Sequence, residues 1–294
     1  MKVTGFTFIK NAIKFDFPIK EAILSILPLC DEIVVAVGDC TDGTRELVAT
    51  IHPTKIRIID TIWDAAKNTG GIVLADETNK AMASISTDTD WCFYIQGDEV
   101  FHERDIETVK QAMMMYKDDI NIDGLLFKYL HFYGSYDYVG SSNKWYRNEI
   151  RVIKNNKNIY SYKDAQGFRK GNNKKLLVKA IDAFIHHYGW VKEPKVMEAK
   201  LINGNNFWGG NKHKIEIDKI NFNKNFDYNS IDSLEKFTKT HPRVIQEKIS
   251  KINWLFSYDL TYNHLSLKHK IKKYLQKLTG IYDLFEYKNY KSVY

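Results

Sequence analysis

Short apolar runs alternate with amphipathic segments over the first hundred residues. The runs are rich in β-branched and aromatic side chains, which predicts buried strands at residues 3–9, 32–37, 55–60 and 91–95. Helical patterns lie between them, at residues 21–27, 45–51 and 75–86, and Pro18 stands where the first of these helices begins. This strand–helix alternation with short links predicts an α/β fold, with a mostly parallel sheet flanked by helices.

The pattern changes after a further predicted helix near residues 105–116. Strand-like segments at 124–133, 149–153 and 183–188 are separated by long loops that carry Tyr, Trp, Asn and Gly. Long loops in compact domains are usually functional or mobile. Beyond residue 195 we expect helices and irregular segments, and we therefore divide the chain into a main domain, 1–194, and a smaller C-terminal extension, 195–294.

One segment of the extension has a clear amphipathic pattern. Its apolar side chains fall on one helical face, and lysines occupy the rest, with Gly280 placed to end the helix. The apolar positions are Leu267, Ile271, Tyr274, Leu275 and Leu278. Three interpretations remain open for 267–278: a helix docked on its own domain, a peripheral helix lying on anionic membrane lipid, or a nucleic-acid contact.

Charge and composition narrow the class of protein. The chain of 294 residues carries a net charge of +7, and residues 211–294 hold the whole surplus, with 16 basic and 9 acidic residues. This suggests a basic surface for an anionic partner. We expect no membrane-spanning helix and no signal peptide, and three cysteines without metal-type spacing indicate a reduced, cytoplasmic protein.

Two adjacent carboxylates, Asp98 and Glu99, follow the predicted strand at 91–95. Open α/β sheets bind ligands at the carboxyl ends of their strands, and acidic side chains there suit a hard divalent cation. The alternative is a solvated acidic turn. His186 and His187 end another strand-like segment, so one should face inward and the other outward.

Three segments of the first hundred residues resemble a known family in order and spacing. They are V-G-D-C-T-D-G-T at 37–44, L-A-D-E-T-N-K-A at 74–81 and Y-I-Q-G-D-E at 94–99. They resemble the S-x-D-G-T-like turn, R-N-x-A-like helix start and D-A-D-E-like strand end of the inverting family 2 glycosyltransferases. The resemblance covers about residues 1–190.

The resemblance implies the glycosyltransferase A fold and a nucleotide-sugar-binding, catalytic domain at 1–194. It implies transfer of a sugar from a nucleotide diphosphate donor, most often a UDP-sugar, to a hydroxyl of a glycan or lipid-linked acceptor. A divalent metal, Mn²⁺ or Mg²⁺, would assist, and the biological setting would be polysaccharide biosynthesis. The resemblance does not favour nucleic acid as a partner.

The resemblance also implies roles for individual residues. Asp98 matches the last Asp of the family's acidic motif and would bind the metal, together with Glu99 and His187. Gln96 stands where the family has its first Asp, which removes one charge from the site. Contacts to the nucleotide are implied for Asp39, Asp42, Asn79 and Gln96, although Asp42 could instead cap a helix and Asn79 could be an exposed polar residue of a helix. Thr7 and Asn11 lie at the end of the first predicted strand, where they could frame the base.

An inverting transfer needs a general base that takes the proton of the acceptor hydroxyl. Asp164, in the segment Y-K-D-A-Q-G, is our first candidate, and Asp137, in G-S-Y-D-Y, is the second. For each, a solvated loop carboxylate is the alternative.

Two other functions remain open. A sugar-phosphate nucleotidyltransferase shares the layered sheet, but it needs a glycine-rich loop after the first strand, where this chain has F-I-K-N-A-I-K. A non-catalytic protein that binds glycan or nucleic acid on the same fold is compatible with Gln96 and with the basic C-terminal part.

Overall fold

A computed structural model describes residues 1–209, 226–261, 265–280 and 287–293. The strands are β1 (Val3–Ile9), β2 (Glu32–Val37), β3 (Ile56–Asp60), β4 (Trp91–Tyr94), β5 (Glu99–Phe101), β6 (Gly124–Tyr133), β7 (Tyr138–Gly140), β8 (Asn148–Lys154), β9 (Ile159–Tyr162), β10 (Gly167–Lys170), β11 (Lys174–Lys175), β12 (Leu177–Trp190), β13 (Leu234–Lys236) and β14 (Lys291–Ser292). The α-helices are α1 (Ile19–Ile26), α2 (Thr44–Thr50), α3 (Ile72–Ala83), α4 (Ile106–Tyr116), α5 (Pro194–Trp208), α6 (Gln246–Ser250) and α7 (Leu267–Thr279).

One large mixed sheet organises the described part of the chain. Its main path runs β13-β7-β6-β8-β4-β1-β2-β3, and β5, β12 and β14 attach to it through β6 and β12. The four strands β3, β2, β1 and β4 are parallel. From β8 outward the pairing is mostly antiparallel, although β12 runs parallel to β6. The predicted α/β class is confirmed, and these four parallel strands lie within residues 3–94.

Both faces of β1, β2 and β4 are buried, which is why their sequences are almost continuously apolar, whereas the edge strand β3 is only partly buried. Alternate residues of β2 divide between two clusters of core side chains. Ile33, Val35 and Val37 pack with α1 and α4 on one face, whereas Val34 and Ala36 pack with α3 on the other. Helix α1 begins directly after Pro18, close to where its sequence predicts, and buries Ile19, Ala22, Ile23 and Ile26.

The predicted strands and helices of the first 154 residues are confirmed, with boundaries that differ by up to three residues. The sequence pattern did not predict the full extent of one strand of the later chain, nor two of its short strands. The segment 183–188 belongs to the much longer β12, and the short strands β13 and β14 bring residues after 194 onto the sheet by pairing with β7 and β12. The division at residue 194 stays a prediction, and residues 210–225 of the proposed extension lie outside the described part.

The predicted amphipathic helix is α7. Ser266 caps its first turn by accepting a hydrogen bond from the His269 backbone N–H, and Gly280 ends it in the left-handed conformation, at φ 70°. Over the residues that the structure describes, no helix combines the length and the apolar character needed to span a membrane.

Candidate functional site

A cavity of about 290 Å³ opens at the carboxyl ends of β1 and β4, beneath α5. Ligands bind at this end of the strands in open α/β sheets. Its aromatic lining consists of Phe8, Phe15, Phe17, Trp63, Tyr146, Phe207 and Trp208. Its polar lining consists of Lys10, Gln96, Asp98, Asp164, Gln166, Lys200 and Asn203. The cavity therefore combines flat apolar surfaces with carboxylates and ammonium groups.

The two adjacent carboxylates after β4 have different surroundings. Asp98 lines the cavity, whereas the Glu99 side chain is fully buried and ion-paired with Arg151. Arg151 donates to both Glu99 oxygens, at 2.6 and 2.8 Å, and the Tyr129 hydroxyl donates to Oε1 at 2.8 Å. The Gln96 backbone N–H donates to Oε2 at 3.0 Å. The expectation that Glu99 binds the metal is therefore not met, because its oxygens are occupied in anchoring the turn that carries Asp98.

Asp98 instead faces His187, which β12 brings to it from the far side of the site. The distance from Asp98 Oδ2 to His187 Nε2 is 3.7 Å, which is too long for a hydrogen bond. A glycine keeps the space beside these two atoms open. A Cβ atom on Gly189 would lie 2.7 Å from Asp98 Oδ2 and 2.7 Å from His187 Nε2. The site therefore holds two ligand atoms beside a space that any larger residue at 189 would fill.

The hydrogen-bond network assigns the protonation of His187. His131 Nε2 lies 2.8 Å from the Tyr146 carbonyl oxygen, which only accepts, so this nitrogen carries a hydrogen. His131 Nδ1 lies 3.2 Å from His187 Nδ1, and burial lowers the pKa of His131 well below its usual value, so the ring is neutral and Nδ1 accepts. His187 then donates from Nδ1, and because burial also lowers the pKa of His187 and favours its neutral form, Nε2 presents a lone pair on the side of Asp98.

Lys200 of α5 supplies a positive charge at the same point. Its Nζ lies 3.3 Å from Asp98 Oδ2 and donates to the Gly189 carbonyl oxygen at 2.8 Å. Burial alone would raise the pKa of Asp98, but the neighbouring positive charge, Lys200 foremost, lowers it to about 2. Asp98 is therefore ionised at every physiological pH.

A divalent cation fits this donor set. Among the residues that the structure describes, no three His, Cys, Asp or Glu side chains form a metal-binding group. Mg²⁺ is commonly held by one or two carboxylates together with substrate phosphates, and a neutral imidazole nitrogen is a common ligand of metal ions. An ionised carboxylate, an imidazole lone pair and the open space at Gly189 suit such a partial site, which Asp98 and His187 would form.

Asp164 lines the same cavity, from the turn between β9 and β10. The residues on both sides of it, Lys163 and Ala165, have left-handed backbones with φ of 54° and 62°, an arrangement that costs energy for residues other than glycine. Burial raises the pKa of Asp164, which strengthens it as a base. Asp137 lies in the β6–β7 loop. It is not among the described residues that line the cavity.

Gln96 also lines the cavity. Its side-chain NH₂ donates to the Tyr94 hydroxyl at 3.2 Å and to the Ala165 carbonyl oxygen at 3.1 Å. Gln96 therefore connects the turn that carries Asp98 to the turn that carries Asp164. An Asp at this position could not make either donation.

The other predicted nucleotide contacts do not belong to the described lining of the cavity. Asn11 Oδ1 accepts from the Thr41 backbone N–H at 2.9 Å, and Thr7 is fully buried in β1. Asp42 accepts from the Thr44 backbone N–H and hydroxyl and from the Lys14 backbone N–H. These three side chains serve local structure.

Asn79 and Asp39 complete the set of predicted contacts. The Asn79 amide exchanges two hydrogen bonds with the Ser161 backbone, at 2.7 and 3.2 Å, so it connects α3 to β9. Asp39 accepts from the Trp63 backbone N–H at 3.2 Å and pairs with Lys10 at 2.7 Å. Asp39 therefore contacts two residues, Trp63 and Lys10, that line the cavity.

The sequence analysis missed the contributions of Trp63 and α5. The Trp63 ring packs edge-on against Phe207 at 5.1 Å and lies 5.5 Å from Lys10 Nζ. Helix α5 lines the cavity with Lys200, Asn203, Gly204, Phe207 and Trp208. Their spacing of three, four, seven and eight residues from Lys200 is that of one helical face, which was the available signal.

Similarity to known proteins is weak. No protein family model matches the chain, and no curated protein matches it in sequence. Solved structures similar to part of it include S. aureus TarS, with 14% identity and a TM-score of 0.41 over 69% of this chain and 39% of that chain. A structure of TarS residues 1–349 has 15% identity and a TM-score of 0.40 over 69% of this chain and 64% of that chain. A third similar structure is glucosyl-3-phosphoglycerate synthase from Mycobacterium tuberculosis in complex with Mn²⁺, UDP and phosphoglyceric acid. It has 16% identity and a TM-score of 0.30 over 44% of this chain and 43% of that chain. The chain thus spans less than two thirds of each, and TM-scores this low establish neither family nor activity.

Proposed function

We propose that this protein is a glycosyltransferase that moves a sugar from a nucleotide diphosphate donor to a hydroxyl group. The supporting observation is the convergence of Asp98 and His187 on the space at Gly189, beside Lys200. Asp98, Lys200 and Asp164 all line the same cavity. This arrangement provides a site for a diphosphate at one side and a base at the other. A UDP-sugar is the donor that the three sequence motifs favour.

The donor is held at both of its ends. Trp63 and Phe8, whose ring centroids are 5.9 Å apart, offer flat surfaces on which a nucleobase can stack. The ammonium groups of Lys10 and Lys200 offset the negative charge of the diphosphate. Asp98 and His187 would hold Mn²⁺ or Mg²⁺, which would neutralise charge on the departing diphosphate.

Asp164 acts as the general base in a single displacement. Its carboxylate takes the proton of the acceptor hydroxyl as that oxygen forms a bond to the anomeric carbon of the donor. The bond from the anomeric carbon to the diphosphate oxygen breaks, and the nucleoside diphosphate leaves with the electron pair. Attack opposite to the leaving group inverts the anomeric configuration.

The acceptor in this proposal is a glycan or a lipid-linked sugar in polysaccharide biosynthesis, and the protein is cytoplasmic. Cys30, Cys40 and Cys92 are all free thiols, as suits a reducing compartment. The aromatic and polar loops after β6 are where acceptor specificity would lie.

Donor hydrolysis tests the proposal without knowledge of the acceptor. The protein is incubated with a panel of UDP- and GDP-sugars in Mn²⁺, and the released nucleotide is quantified. We expect slow release from one donor, and its loss in Asp98→Ala because the variant lacks the carboxylate ligand. Pyrophosphate formation from a sugar phosphate and a nucleoside triphosphate would instead identify a nucleotidyltransferase and contradict the proposal.

A further inference from the structure

Helix α7 carries its apolar stripe on the outside of the protein. Leu267, Ile271, Tyr274 and Leu278 are 75%, 52%, 67% and 69% exposed. Their spacing of four, three and four residues places them on one narrow face. Single exposed apolar residues are ordinary, but a continuous exposed stripe marks an interaction site.

The contacts that the structure describes between α7 and other elements lie on its opposite side. Gln276 is the buried residue of the helix, with 2% of its surface exposed, and Lys273 pairs with Glu235 of β13 at 3.3 Å. At about 3.6 residues per turn, Gln276 projects roughly 180° away from Leu267. The helix therefore rests on the protein by a polar side, which is the reverse of an ordinary docked amphipathic helix.

The charges of α7 are all of one sign. The helix contains Lys268, Lys270, Lys272, Lys273 and Lys277 and no acidic residue. Lys268 lies on one flank of the apolar stripe, and Lys270 and Lys277 lie on the other flank, all three exposed. A lysine can insert its aliphatic stem into an apolar layer and keep its ammonium group at the level of phosphate groups.

We propose that α7 is a peripheral membrane-binding helix that lies on an anionic lipid surface. Such a surface offers apolar chains for the stripe and negative headgroups for both flanks. A second copy of the helix would bring two sets of lysines together without any acidic partner. Nucleic acid would match the lysines but would leave the leucine and isoleucine side chains in water. This proposal does not depend on the proposed glycosyltransferase activity.

Vesicle co-sedimentation of the full chain tests the proposal. We expect binding to vesicles of phosphatidylcholine with phosphatidylserine at low salt, and weak binding to phosphatidylcholine alone. Ile271→Ser/Leu278→Ser keeps every lysine and should weaken binding by about tenfold or more, because two apolar side chains no longer leave water. Lys268→Gln/Lys270→Gln/Lys277→Gln should remove the preference for phosphatidylserine.

The control is Met115→Ser on α4, a side chain that is 72% exposed but lies outside α7. It should bind vesicles as the unmodified chain does. All of these side chains are exposed, so thermal unfolding should be unchanged in each variant. Three results would overturn the proposal: no vesicle binding, vesicle binding that Ile271→Ser/Leu278→Ser leaves intact, or a dimer in solution that this variant dissociates. Tight, salt-dependent binding of nucleic acid in place of vesicles would overturn it as well.

Discussion

At the scale of single residues, Gly189 makes the most specific prediction. A methyl group at this position would lie within 2.7 Å of both Asp98 Oδ2 and His187 Nε2. We therefore expect Gly189→Ala to lose Mn²⁺ binding, as measured by calorimetry or by the electron paramagnetic resonance signal of free Mn²⁺.

Gly204→Ala is the matched control. It adds a methyl group elsewhere in the cavity wall, where the nearest side-chain atom, Trp208 Cδ1, is at 3.8 Å, an ordinary contact distance. This variant should bind Mn²⁺ like the unmodified protein. Unchanged Mn²⁺ affinity in Gly189→Ala, with the fold intact by circular dichroism, would place the metal elsewhere.

The two candidate bases give a second prediction at this scale. Asp164→Asn should keep donor affinity and lose about 10²–10⁴-fold in turnover, the usual contribution of a general base. Asp137→Asn is its control and should turn over normally, because Asp137 lies outside the described lining of the cavity. Normal turnover in Asp164→Asn with a loss in Asp137→Asn would reverse the assignment.

The adjacent residues Asp98 and Glu99 show how much of the candidate site the sequence can predict at the scale of single residues. An acidic pair after a buried strand predicted a ligand site at that strand end, where Asp98 lines the cavity. The role of Asp98 in binding stays a prediction. The pair could not predict which member faces the ligand, because Glu99 is committed to Arg151, 52 residues further along the chain. The sequence likewise could not predict what the Gln96 side chain contacts, because Ala165, whose carbonyl oxygen accepts its hydrogen bond, lies 69 residues away.

At the scale of elements, α5 determines the charge of the site through Lys200. The ammonium group competes with a cation for Asp98 Oδ2, at 3.3 Å, and also attracts a diphosphate. Lys200→Gln should therefore bind free Mn²⁺ more tightly, by about tenfold, and bind nucleoside diphosphate more weakly in its absence. Calorimetric titrations with Mn²⁺ alone and with UDP alone measure the two effects separately.

Lys195→Gln, an exposed position on the same helix, is the control for a change in net charge. It should leave both affinities unchanged. If Lys200→Gln also leaves both unchanged, then α5 only covers the cavity and Lys200 has no part in binding.

Elements differ in how well the sequence predicts them, for a physical reason. The strands β1, β2 and β4 are buried on both faces, so their own residues carry the signal as apolar runs. The strands β13 and β14 have two or three residues each and exist through pairing with β7 and β12. The place of α5 over the cavity likewise depends on contacts made far along the chain, such as the hydrogen bond from the Gly70 N–H to the Trp208 carbonyl oxygen.

At the scale of the whole molecule, stability should depend on the protonation of Glu149 in β8. The side chain is buried, its Oε1 accepts from Gln166 at 2.7 Å, and its Oε2 has no hydrogen-bond partner among the described residues. Burial raises its pKa from 4.5 to about 8. The folded state therefore binds more protons between these values, so the free energy of unfolding should fall as pH rises through this range.

Glu149→Gln has no proton to lose and should remove this dependence. Urea unfolding at about pH 5 and about pH 8 should show the variant gaining stability relative to the unmodified protein at the higher pH. Glu46→Gln, at an exposed position on α2, is the control and should track the unmodified protein at both values. A difference between Glu149→Gln and the unmodified protein that does not change with pH would show that Glu149 is ionised in the folded state at both values.

The most direct test of the account is calorimetric titration of the intact protein with UDP and GDP, with and without Mn²⁺. The account predicts saturable binding of one nucleotide, UDP by preference, that Mn²⁺ strengthens at least tenfold. The same enhancement should be absent in Asp98→Ala, because Asp98 and His187 would together form the proposed cation site. Nucleotide binding that Mn²⁺ does not change in the unmodified protein, or no binding of either nucleotide to a folded sample, would contradict the account.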